Sequence, residues 1–226
     1  MESLNDILQK QIKTATRTGL VRLQYLPYKL NVALEVLERI CVGLQPKFQF
    51  NSGNIPTYSE LIRYFHGDPE FNGDLTKGIL LMGPTGTGKT HALTAMNIYR
   101  SIDNVKFIWN HKTYMLNYEI INTAELINKF YYNAFDGLEM YCNRYVLCLD
   151  DLGSLTEIPN VKHYGNDLDV VGFVITERYA KRLYTFATTN LTENKLVERY
   201  GDRVVSRMHA MFNFIEMIDI DHRKTV

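Results

Sequence analysis

Apolar residues recur along this chain in two rhythms, one with helical spacing and one of short continuous runs. In "SLNDILQKQIKTATRTG", Leu4, Ile7, Leu8 and Ile12 fall at helical spacing, with Ser3 and Asp6 placed like a capping box and Gly19 as a stop. A short amphipathic helix is predicted there. After Pro27, Leu30, Leu34, Leu37, Cys41 and Leu44 share one stripe that Pro46 closes, which predicts a second helix. The stretch "QFNSGNIPTY", 49 to 58, is polar and turn-rich and reads as a linker. It divides the chain into a small helical N-terminal region, 1–48, and one larger domain, 49–226.

The larger part alternates apolar runs with helical patterns: "GILLMG", "KTHALTAMNIYR", "YEIIN", "AELINKFYYNAF", "YVLCLDD", "VVGFVITERYAKRL", "YTFATTN" and "DRVVSRMHAMF". Strand and helix in alternation predict an α/β fold whose mainly parallel sheet is covered on both faces. The sequence shows no internal repeat and no low-complexity tract.

At 226 residues with 46% hydrophobic content, the chain can bury one core with a small appendage. Its formal charge is zero, so contact with nucleic acid must come from a local basic patch. Cys41, Cys142 and Cys148 are widely spaced and odd in number, against a disulfide framework or zinc site. The opening is too polar for a signal peptide, and no apolar run approaches the ~18 residues of a membrane span. A cytoplasmic protein with no membrane partner is expected.

Directly after the run "GILLM" stands "GPTGTGKT", Gly83 to Thr90, which matches G-x-x-x-x-G-K-[ST] and leads into a helical pattern. Glycines let backbone N–H groups wrap an anion, Lys89 neutralises the outer phosphates, and the helix start adds its positive dipole end. The cofactor-binding set is Gly83, Pro84, Thr85, Gly86, Thr87, Gly88, Lys89, Thr90 and His91, and the expected cofactors are ATP and Mg²⁺. Two adjacent carboxylates, Asp150 and Asp151, end the run "YVLCLDD". Such a pair repels unless it meets a cation or the end of a strand, and in an open parallel sheet the carboxyl ends of strands gather at the ligand. Thr90 and Asp150 are therefore the expected metal residues, and Asp151 the group that orients and polarises water.

Asn190 ends the run "YTFATTN", where it can reach the water or the γ-phosphate, although a Thr-Asn strand end is also ordinary loop chemistry. Arg203 and Arg207, four apart, edge the helix predicted for "DRVVSRMHAMF", either as a solvated face or as a finger reaching a neighbour's nucleotide. Trp109, Tyr114 and Tyr118 beside Lys106 and Lys112 read as core aromatics or as a stacking surface for single-stranded DNA.

Taken together, "GILLMGPTGTGKT", "VLCLDDLG", "ITERY", "FATTN" and "YGDRVVSRM" resemble the AAA+ ATPases, and more closely the DnaC/IstB family of helicase loaders and transposition helper ATPases, over roughly residues 55 to 225. The resemblance implies an AAA+ P-loop fold, Asp150 and Asp151 as Walker B, Asn190 as sensor 1 and Arg207 as the finger. It also implies Arg178 as a second trans-acting arginine, with Arg203 at the same site or supporting it. No clear helical lid is expected after the last motif, and no lid arginine is assigned. The implied function is ATP hydrolysis by a homo-oligomer with ATP at its subunit interfaces, loading a replicative helicase and gripping single-stranded DNA. The alternative within the family is a transposition helper that binds duplex DNA. A small-molecule kinase or GTPase fits less well: Asn194-Lys195 is followed by Val197 where a guanine motif needs an acid. The N-terminal stripe either packs on the core or docks the partner.

Overall fold

The computed structural model describes residues 22–109, 112–163 and 165–218, and the first predicted helix lies outside them. Four of the predicted runs become strands of one five-stranded parallel sheet, and Phe212–Glu216, which follows the last predicted helix and for which no strand is predicted, supplies the fifth. The strands are β2 (Gly78–Met82), β5 (Glu119–Asn122), β6 (Val146–Leu152), β9 (Tyr184–Thr189) and β10 (Phe212–Glu216), in the order β10-β2-β9-β6-β5. Alternate strand residues face opposite sides, and the middles of the strands are mostly apolar because both sides are covered. Ile79, Leu81, Val146, Cys148 and Phe186 thus enter one apolar cluster, while Leu80, Leu147, Leu149 and Ala187 enter the other.

The first cluster is closed by α1 (Leu30–Leu44), α2 (Ile55–Phe65) and α3 (Lys89–Ile102). The second is closed by α4 (Thr123–Asn133), α5 (Asp136–Asn143), α6 (Val170–Ala180), α7 (Glu193–Tyr200) and α8 (Asp202–Met211). A small antiparallel sheet of β1 (Arg22–Leu23), β3 (Lys106–Trp109) and β4 (Lys112–Met115) and a hairpin of β7 (Val161–His163) and β8 (Asn166–Leu168) complete the described chain.

The expected division at residue 48 is corrected here. Ala33, Leu37 and Cys41 of α1, together with Leu23 and Phe48, are buried in the same cluster as Ile79 and Leu93. The linker predicted over 49–58 contains the start of α2, whose Tyr58 is buried, and Asn54 Nδ2 donates to the Gln49 carbonyl at 3.1 Å. Polar, turn-forming residues here build the turn that leads into a helix, with the Asn51 and Asn54 side chains each accepting from the other's backbone N–H; they do not separate two bodies. The described part of residues 1–48 is thus built into the larger domain, although Leu44 at the end of its stripe is exposed.

Tyr118 is a core residue, its hydroxyl donating to the Leu93 carbonyl at 2.5 Å. Trp109 and Tyr114 are half-buried and pack beside Tyr145, with ring centroids 4.6 and 5.4 Å away. Among the described residues no helix is long and apolar enough to cross a membrane.

Candidate nucleotide-binding site

The phosphate loop leaves β2 at Gly83, whose φ of +148° belongs to glycine and whose added Cβ would stand 2.4 Å from the Met217 carbonyl oxygen. Gly88, at φ +87°, is the N-cap of α3 and lets the chain turn directly into the helix. Thr87 Oγ1 donates to the Pro84 carbonyl at 3.0 Å. Lys89, only 6% exposed, folds back across the loop and donates to the carbonyls of Gly83 and Pro84, both at 2.8 Å. Thr85 to His91 line a cavity of about 1030 Å³ together with Asp150, Asp151, Thr188 and Asn190. Gly83 and Pro84 sit behind this lining, as the carbonyl partners of Lys89. Amide groups at the start of α3, unpaired within the helix, and a buried ammonium together make this an anion cradle.

Both acids reach one cavity because β6 is irregular at its end. Leu149 pairs with Ala187 and Leu152 with Thr189, so Asp150 and Asp151 stand against the single residue Thr188. Asp151 takes up the extra length at φ +65°, a left-handed conformation that aspartate tolerates better than most residues. A bulge leaves backbone groups without ladder partners, and threonines satisfy them. Thr188 Oγ1 accepts from the Asp151 N–H at 2.8 Å, Thr123 Oγ1 donates to the Asp151 carbonyl at 3.1 Å, and Thr189 Oγ1 donates to the Leu152 carbonyl at 2.7 Å.

The donor set suits a small hard cation. Thr90 Oγ1 donates to Asp150 Oδ1 at 2.7 Å, which puts a hydroxyl and a carboxylate side by side below the cradle. Mg²⁺ characteristically takes one or two such protein oxygens and completes its shell with phosphate and water. Among the described residues no cluster of three or more His, Cys, Asp and Glu could hold a metal by itself. A cation here would therefore depend on the phosphates. Asn190, exposed at the end of β9, donates through Nδ2 to Asp151 Oδ1 at 2.8 Å.

The three arginines separate. Arg207 is half-buried, donates to Thr176 Oγ1 at 2.5 Å and lies over the Tyr179 ring at 5.7 Å. Arg203 is exposed and makes no ion pair with the described residues. Arg178 corrects the expectation of a trans-acting residue: it is 0% exposed and its guanidinium donates to Thr185 Oγ1 and to the carbonyls of Tyr141, Arg144 and Tyr184. These four bonds tie α6 to the chain around β6 and to the start of β9. Burial also pushes the Arg178 pKa down.

Several site residues had no motif to announce them. Thr188 is one; the segment Gln45 to Asn51, which supplies a cavity wall through Gln45, Lys47, Phe48, Gln49 and Asn51, is another. His91, expected at the cofactor, lines the cavity and also reaches back to α1, its Nε2 3.1 Å from the Cys41 carbonyl and its ring 5.1 Å from that of Phe48. Beyond the acids, Glu157 is buried where the Gly153 N–H, the Tyr200 hydroxyl and Arg199 all donate to it, which fixes the turn after β6.

A phosphate loop at β2, paired acids on β6 and Asn190 on the strand between them define an AAA+ P-loop protein. Solved structures agree. The chain is similar to the DnaC helicase loader, at 25% identity and TM-score 0.53 over 77% of this chain and 96% of that one. It is also similar to DnaI, at 20% identity and TM-score 0.57 over 93% of this chain and 100% of that one. The replication initiator DnaA bound to AMPPCP and single-stranded DNA shares the fold at 19% identity and TM-score 0.51, over 77% of this chain and 49% of that one. No family model matches the chain, and neither does any curated protein. Within the AAA+ class the chain is DnaC/IstB-like.

Proposed function

We propose that the protein is an ATP-hydrolysing helicase loader of DNA replication that grips single-stranded DNA. The observation that carries this reading is the bulge of β6, which turns Asp150 toward Thr90 and Asp151 toward Asn190 on one cavity. In ATP binding, Lys89 exchanges the carbonyls of Gly83 and Pro84 for phosphate oxygens while the α3 amides hold the same group. Mg²⁺ held by Thr90 and Asp150 would supply charge neutralisation at the phosphates. Asp151 accepts the proton of the attacking water, and Asn190 keeps that carboxylate, or the water, in line. Arg207 exchanges Thr176 for the γ-phosphate of a neighbouring subunit, which makes the homo-oligomer the hydrolysing unit, with Arg203 beside it. The loader assignment also draws on the likeness to DnaC and DnaI, and the DNA assignment on the initiator solved with a single strand.

Fluorescence anisotropy with single-stranded and duplex oligonucleotides at one fixed salt concentration, with and without ATP, tests the reading. ATP-strengthened preference for the single strand is expected. Tighter binding to duplex would overturn it in favour of a transposition helper.

A further inference from the structure

Thr188 sits at the centre of the site, and its hydroxyl does more than satisfy the bulge. It is 1% exposed and lies on β9, a strand whose six residues are all buried and which is paired on both sides. Its hydroxyl donates to Asp150 Oδ1 at 2.7 Å and accepts from the Asp151 N–H at 2.8 Å. Thr90 donates to the same Asp150 oxygen, also at 2.7 Å. Two hydroxyls on one oxygen fix the rotation of that carboxylate and leave Oδ2 as the oxygen available to a cation. The second bond, to the Asp151 N–H, holds the peptide that puts Asp151 at φ +65°. One buried hydroxyl therefore sets the direction of both acids.

We propose that Thr188 is a positioning residue: it aims the free oxygen of Asp150 at the divalent cation and keeps Asp151 turned toward the attacking water. This rests on the ATPase reading above. A residue that orients a metal ligand changes metal affinity or activity by about 10- to 100-fold when removed. Valine keeps the shape of threonine and deletes the hydroxyl; serine keeps the hydroxyl.

Full-length wild type, Thr188→Val and Thr188→Ser are compared in three measurements: Mn²⁺ binding with ADP present by electron paramagnetic resonance, ADP binding in EDTA, and hydrolysis against Mg²⁺ concentration. Valine is expected to weaken Mn²⁺ binding about tenfold or more, with a matching rise in the Mg²⁺ needed for half-maximal hydrolysis. Metal-free ADP binding should stay within about twofold, and serine should restore Mn²⁺ affinity to within about threefold. Equal Mn²⁺ affinity in wild type and the valine variant would overturn the proposal, as would an equal loss in metal-free ADP binding. If the valine variant does not fold, Thr188→Cys carries the comparison: its weak donor should give an intermediate Mn²⁺ affinity, and wild-type affinity would overturn the assignment. A wild type that binds Mn²⁺ with ADP yet hydrolyses no ATP refutes the ATPase reading alone, since the Mn²⁺ measurement still decides the role of Thr188.

Discussion

Asn190 donates its side-chain amide to Asp151 Oδ1 at 2.8 Å and so joins the ends of β9 and β6 across the cavity. This bond orients the carboxylate without neutralising it, as a group accepting a proton from water requires. Asp151→Asn should keep ATP binding and slow turnover by a factor on the order of 10² or more. Asn190→Ala should bind ATP equally and turn over about tenfold more slowly. Single-turnover hydrolysis beside equilibrium nucleotide binding separates the two steps, and equal turnover by wild type and Asp151→Asn would remove its assigned role.

Arg207 rests on Thr176 and over Tyr179 in the single chain and is not among the residues that line the chain's own cavity. If it completes a neighbour's site, specific activity should rise with protein concentration. Arg207→Ala should bind ATP and hydrolyse poorly, and Lys89→Ala should lose ATP binding. Mixing the two should restore part of the activity, because one interface in the mixed assembly carries an intact Lys89 and an intact Arg207. Absence of both concentration dependence and rescue counts against a shared site.

Arg178 should behave as a structural residue. Arg178→Ala leaves the carbonyls of Tyr141, Arg144 and Tyr184 without this donor and opens a void at the base of α6. A loss of about 3 kcal/mol or more is expected. Lysine should not rescue it, since a single ammonium cannot reproduce the fork of donors. Urea unfolding measures this, and a stable Arg178→Ala protein defective only in oligomeric hydrolysis would return the residue to a trans-acting role.

That the phosphate loop and the acids meet at one cavity is legible in the sequence because each is a contiguous run set by local order: glycines before Lys89, and an apolar strand ending in Asp150 and Asp151. The sheet was legible because strands buried on both faces read as unbroken apolar runs. Arg178 was not, since a buried and an exposed arginine look alike without the carbonyls of distant elements. Thr188 was hidden for a related reason: its role comes from a register shift against another strand, which no pattern within "YTFATTN" encodes. The stretch 49–58 reads as a linker because Asn51 and Asn54 serve equally in loops and at helix starts.

His66 gives the stability a pH dependence. Its ring is buried, with Nδ1 3.0 Å from the Leu26 carbonyl and Nε2 2.8 Å from the Tyr99 hydroxyl, an arrangement that suits the neutral imidazole. Burial lowers its pKa from 6.5, outweighing the Leu26 carbonyl and the carboxylates of Asp103 and Asp68. Below 6.5 the unfolded chain takes up a proton that the folded protein resists, so this contribution is full above that value and declines as pH falls toward the lowered folded value. The urea midpoint should fall between about pH 7 and about pH 5.5, and His66→Gln should flatten that slope. An unchanged slope in the variant would assign the dependence elsewhere.

The last prediction concerns α1, the expected docking stripe. Ala33, Leu37 and Cys41 face the core, whereas Val32, Glu35, Arg39 and Val42 are exposed, so the surface free to meet a partner is opposite the one the leucine stripe suggests. Deleting residues 1–48 would remove Leu23, Leu37, Cys41 and Phe48 from the first apolar cluster and is expected to abolish cooperative folding. Leu37→Ala alone should cost about 2–5 kcal/mol. The same deletion would also take away Lys47 and Phe48 from the cavity wall and break the link from His91 to Cys41, so loss of ATP binding should accompany it. A test of helicase docking therefore needs the outer face: Val32→Glu with Arg39→Glu should leave the urea midpoint and ATP binding unchanged and reduce co-purification with a replicative helicase. Undiminished co-purification would remove the outer face of α1 from the docking surface, and a deletion lacking residues 1–48 that still folds and binds ATP would restore the boundary read from the sequence.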